Sequence, residues 1–186
     1  MTALVDKQTA SLIITVLLAL SGYLITRQIQ IRLSQRKDRL ELINKRINEF
    51  YGPLYIALQD SLRSYQALLT KLHRQESFFE HGKQPTEDEM RQWRIWVEHV
   101  LMPLNLRVET IILEHAYLIR EQAVPECLLQ FVTHVSAYKA VLKCWEAGDF
   151  SEWTSIISFP MKLNAYAAEA YAELKEEQLK LIGKLR

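Results

Sequence analysis

Glycine and proline are scarce in this chain, five of each in 186 residues, and they form no low-complexity tract or evident repeat. So few turn formers between long periodic runs argue for an all-α protein. Cysteine is scarcer still. Cys127 and Cys144 suggest no disulfide framework, suit a reducing cytosol, and are too sparse for a metal site by themselves. The sequence has no H-E-x-x-H, C-x-x-C, phosphate loop, G-x-S-x-G or dinucleotide fingerprint, so it gives no ground for a metal, a cofactor or a small-molecule substrate. Net charge is only +1. One further absence organises the rest: no charged residue occurs from Thr9 to Thr26.

That stretch, TASLIITVLLALSGYLIT, is about 18 residues long, within reach of the roughly 17–25 that cross a hydrocarbon core. Residues 27–46 then carry Arg27, Arg32, Arg36, Lys37, Arg39, Lys45 and Arg46 against Asp38 and Glu41. A cleaved signal peptide has the reverse asymmetry, with its positive charge ahead of the apolar core and a small-residue cleavage site behind it. Here Asp6 and Lys7 cancel ahead of the span, and no A-x-A-like site follows. The pattern predicts one transmembrane helix in the inner (plasma) membrane. The positive-inside bias puts the remainder on the cytoplasmic side. Four segments follow: a tail over 1–8, the span over 9–26, a basic stalk helix over 27–50, and a cytosolic antiparallel helical bundle over 51–186.

Within the span, Ser11, Thr15, Ala19, Gly22 and Thr26 are spaced to share one helix face, and the other faces are Leu, Ile and Val. A stripe of small and hydroxyl residues lets helices approach closely in lipid. It also suits the lining of a narrow pore in a ring of copies, or simply internal bonding of hydroxyls to the helix backbone. The basic run Arg27, Arg32, Arg36, Lys37 and Arg39 suits anionic inner-leaflet lipid, and its charges would serve nucleic-acid phosphates as well.

Further on, Gly52-Pro53 predicts a kink or short break, with Phe50, Tyr51 and Tyr55 packing it in place. A helix from Leu54 to about Glu80 leads to the loop His81–Pro85. Thr86 and Glu89 form a capping box for the next helix. Pro103 predicts a kink or fresh start before helix to about Gln122. Pro125 opens the following helix, which stops at Gly148. A short helix is expected from Ser151, broken at Phe159-Pro160, and a last helix from about Met161 to Leu185. Among the histidines, His115 and His134 fall on apolar faces and read as core, while His73 and His81 read as helix surface. Arg94 and His99 form an R-x4-H pair. On a regular helix they lie about 140° apart, so sharing a site needs a distortion such as Pro103 permits. There the histidine would act as acid–base and the arginine would stabilise charge on RNA phosphate.

One amino-terminal span, a basic stalk, an all-α domain of this size and the Arg94–His99 motif together resemble the small membrane-anchored, HEPN-like accessory protein of type VI-B (RNA-targeting) CRISPR loci. More broadly they resemble small membrane effectors of bacterial anti-phage systems. The usual HEPN motif has a polar residue directly after the arginine, where this chain has Ile95. The resemblance implies a homo-oligomeric ring in the inner membrane that permeabilises or depolarises it, and partnership with an RNA-guided nuclease. The residues themselves leave two other readings open: a membrane-tethered adaptor holding a cytosolic partner, and a HEPN-type ribonuclease using Arg94 and His99.

Overall fold

The computed structural model describes residues 2–79 and 83–183, with side chains from Ser11 onward. His81 and the carboxyl-terminal residues from Lys184 lie outside the described residues. The protein is all-α, and among the described residues there is no strand. Helix α1 (Thr2–Lys45) passes through a π-helical turn (Arg46–Tyr51) into α2 (Gly52–Lys71). Helix α3 (Glu87–Trp96) passes through a second π turn (Val97–Leu101) into α4 (Met102–Glu114). A 3-10 turn (Ala116–Leu118), α5 (Glu126–Glu146) and α6 (Lys162–Gly183) complete the chain.

Both interior prolines sit just after a π turn, at Gly52-Pro53 and Met102-Pro103, and in neither place does the helix break. A proline withholds an N–H, and its ring crowds the carbonyl four residues back. The wider turn absorbs the mismatch: Gly52 N–H bonds Ile47 O and Met102 N–H bonds Val97 O, each five residues back. Gly52 is sterically required there, because a Cβ would stand 2.5 Å from Ile47 O.

Periodicity in the stalk ends in burial. Ile43 and Ile47 are in the core with Phe50, Tyr51, Leu54 and Leu58, against α4 and α6. Tyr55 stacks on Tyr171 of α6 at 5.4 Å, and Ser61 of α2 reaches Asn105 of α4. Helix α2 ends at Lys71, short of the expected Glu80. There Arg74, its side chain wholly buried, donates to Phe78 O (2.9 Å), Lys83 O (3.0 Å) and the Glu89 carboxylate. Glu89 also closes the capping box with Thr86. Helix α4 stops at Glu114 rather than near Gln122. The Tyr51 hydroxyl accepts the Arg120 N–H at 3.1 Å, and Tyr117 donates to Glu49. These contacts draw the α4–α5 connection onto the first π turn.

The bundle therefore has two ends. Residues 115–125 lie at the end where α1 enters, and the connections after α2 and α5 lie at the other.

Candidate functional site

Among the described residues one helix is long and apolar enough to cross a membrane, and its apolar window has no intrachain cover. Every residue from Ser11 to Gln35 is exposed. The small and hydroxyl face is present as spaced: Thr15 Oγ1 donates to Ser11 O and Thr26 Oγ1 to Gly22 O, both at 2.9 Å. The two threonine protons are thus used within the helix, leaving their oxygen lone pairs and, at Ala19 and Gly22, room for close approach. A Cβ at Gly22 would meet nothing within 4 Å.

The basic stretch divides in two. Arg27, Arg32 and Lys37 are exposed and Arg36 is half-buried. Arg39 is ion-paired with Glu177 of α6, and Lys45 lies 5.2 Å over the Tyr117 ring. The bundle has the opposite balance: residues 27–46 carry seven basic and two acidic side chains, whereas 47–186 carry fifteen basic and nineteen acidic.

Arg94 and His99 do not line a common groove among the described residues. The second π turn supplies the distortion their spacing requires, yet the Arg94 guanidinium lies 4.4 Å above the Phe150 ring. His99 is exposed. Arg94 lines an open groove of about 320 Å³ between α3 and α5 that does not include His99. Arg91 and Arg94 in its wall are balanced by Glu98 and Glu146, so the groove has no net positive charge to hold a phosphate backbone.

His134 is buried, and its Nδ1 bonds Ile157 O at 2.5 Å. Burial holds its imidazole below the ordinary value of 6.5, against the raising effect of that carbonyl. His115 is half-buried with Nδ1 unpartnered, and His73 is exposed in a left-handed conformation (φ 53°). At the α1 end, Tyr51 donates to Tyr166, which donates to Glu121, both at 3.2 Å. Desolvation raises both phenols above their ordinary range. Among the described residues no three His, Cys, Asp or Glu side chains come together as metal ligands.

Sequence reasoning missed the α5–α6 connection. Residues 151–158 form no helix; they are an irregular loop held by side chains from α3 and α5. Trp93 Nε1–H donates to Trp153 O (2.9 Å) and Trp145 Nε1–H to Glu152 O (2.8 Å). The local signal was the density of apolar residues in a stretch ending at Pro160, but the pins come from distant positions.

The chain matches no protein-family model, no curated protein and no solved structure.

Proposed function

We propose that the chain is a single-pass membrane protein whose helical bundle lies on the cytoplasmic side and acts as a tethered adaptor, holding a protein partner away from the membrane. The carrying observation is the continuous helical path from the uncovered apolar window into the bundle core, with no loop between. The free helix between the span and Arg39 is about 12 residues, or roughly 18 Å at 1.5 Å per residue. Its cations favour an anionic inner leaflet, while the acidic bundle is repelled by the same surface, so the bundle stands off. Nothing in the Arg94 groove supports phosphodiester chemistry.

A second reading is a membrane-permeabilising oligomer of the anti-phage kind, working beside an RNA-guided nuclease. It is favoured by the uncovered Ser11/Thr15/Ala19/Gly22/Thr26 face, where a Cβ at Gly22 would meet nothing within 4 Å. A single helix encloses no pore, so this reading requires a ring. Light scattering of the full-length protein in nanodiscs separates the two. One or two copies supports the adaptor; six to ten copies overturns it and makes conductance the next measurement.

A further inference from the structure

We propose that the stalk face centred on Leu33 is a docking surface for an acidic amphipathic helix of a protein partner, an inference that goes beyond the adaptor reading and does not depend on what the bundle itself holds. The stalk has a seven-residue repeat. Arg32-Leu33, Arg39-Leu40 and Arg46-Ile47 recur at that spacing, with Ile29, Arg36 and Ile43 four residues ahead of each apolar member. Apolar residues at alternating spacings of three and four mark a face that packs against another helix. In the repeats nearer the bundle, the structure shows what that helix is like. Ile43 and Ile47 are buried against α6, and Leu40 is half-buried. Arg39 Nε–H donates to Glu177 of α6 at 2.7 Å, and Gln178 Nε2–H to Asn44 Oδ1 at 2.6 Å. Leu174 and Leu181, on either side of Glu177, pack into the same core. Where it is covered, then, this face takes a leucine-lined helix that brings a carboxylate to the flanking arginine. The cover stops short of the first repeat. Tyr171 meets Tyr55 and Gln178 meets Asn44, so α6 runs antiparallel to the rod and Gly183 stands opposite about residue 39. Ile29 and Leu33 are each 52% exposed. Among the described residues no ion pair engages Arg32, Arg36 or Lys37.

Charge and height select the occupant. Residues 27–37 carry Arg27, Arg32, Arg36 and Lys37 and no Asp or Glu. At about 100° per residue, Arg32, Arg36 and Lys37 flank the Ile29–Leu33 line, whereas Asp38 and Glu41 fall about 100° or more from it. The open repeat therefore offers unopposed cations around an apolar centre, and glutamates beside leucine complement it as Glu177 complements Arg39. Residues 184–186, Lys-Leu-Arg, bring no carboxylate. A second copy is opposed by the same charges. In two parallel stalks Arg32 of each faces Lys37 of the other, the flanking positions that set partner choice in a heptad pair. The bilayer does not reach the centre of the face. Leu33 stands about 10 Å along the helix from Thr26, past a headgroup layer of roughly 5–7 Å. A nucleic-acid backbone answers the cations but not the leucine.

The test uses the full-length protein in phosphatidylcholine nanodiscs, with empty discs subtracted. The probes are a helical peptide with leucine at its a and d positions and glutamate flanking them, its leucine–lysine counterpart, and an oligothymidylate, all read by fluorescence anisotropy. The glutamate peptide is expected to bind at least about tenfold tighter than the lysine peptide. Ile29→Ser with Leu33→Ser should weaken it about tenfold. Arg32→Glu with Lys37→Glu should turn the preference toward the lysine peptide, whereas Arg27→Glu, away from the face, should change binding less than about threefold. All five side chains are exposed, so an unchanged Tm of the bundle checks the fold of each variant. No binding above empty discs, or unchanged binding to the double-serine variant, overturns the surface. So does an equal loss with Arg27→Glu, which would mean general charge attraction. Tighter binding of the oligothymidylate gives the face to nucleic acid. A mass by light scattering that drops in the double-serine variant gives it to a second copy. If phosphatidylserine in the disc erases the difference between the unaltered protein and that variant, the leaflet covers the face. Each of these three outcomes also overturns the proposal.

Discussion

The two halves of the long amino-terminal rod obey different environments. From Ser11 to Gln35 every residue of the helix is exposed; from Ile43 to Leu69 the rod is the wall of the core. Its two glycines show the contrast. Gly22 has open space where a side chain would be, whereas Gly52 has a backbone carbonyl 2.5 Å away. The arginines divide the same way: Arg27 and Arg32 project into the surroundings, while Arg74, just past the rod, is entirely enclosed. The second half is explained by the chain itself. The first is intelligible only through what the chain meets.

Breaking the enclosed half should have the largest effect. Arg74→Ala strands the Phe78 and Lys83 carbonyls and removes the partner of Glu89, so a loss of about 3–5 kcal/mol is expected. That corresponds to a fall of roughly 10 °C in the Tm of the full chain, measured by calorimetry in nanodiscs. An unchanged Tm would mean that the α2–α3 connection is not held as described. Gly52→Ala comes next. The methyl group meets Ile47 O, which cannot move without undoing the π turn, so about 2–3 kcal/mol is expected in the same measurement.

These two residues also mark what was legible in sequence. Signals carried by neighbours along the chain could be read: the Thr86–Glu89 capping box, Pro125 at the start of α5, Gly148 (φ 79°) at its end, and the Ile43/Ile47 period. What depends on distant partners could not. Gly52-Pro53 reads as a break because proline's local cost is visible, while the π turn that accommodates it is stabilised by packing on α4 and α6. The α2 terminus is set by Arg74 reaching forward to Lys83 and Glu89. Arg94 is spaced to His99 in sequence, but it is turned by Phe150 on another element. The loop after α5 resembles a helix start until Trp93, Trp145, His134 and Tyr138 take its polar atoms.

A smaller effect should follow from pH. Burial lowers the His134 pKa, so the unfolded chain takes up a proton near pH 6.5 while the folded chain does so only at lower pH. Folding stability should therefore fall as pH drops below about 6.5, and level off once the folded imidazole is protonated too. His134→Asn preserves a donor near the Nδ1 position, so it should keep the bond to Ile157 O and flatten this part of the stability–pH curve. Persistence of the full slope in that variant would assign it to other groups. In the uncovered half, Arg27→Gln and Arg32→Gln should leave the bundle's Tm unchanged. Each should weaken enrichment of spin-labelled phosphatidylserine around the full chain by about fivefold, from roughly 1 kcal/mol per cation.

The smallest expected effect on folding is the most informative about the membrane. Gly22→Leu adds a side chain where the chain offers no neighbour, and replaces a poor helix former by a good one, so the bundle's Tm should not fall. Any change it produces must arise between molecules. If copies pack through the Ser11–Thr26 face, leucine at its centre holds the helices apart, and the mass by light scattering should drop toward the monomer. If the span only anchors an adaptor, the mass stays the same, and the loss at Gly52 with silence at Gly22 restates the difference between the two halves of one helix.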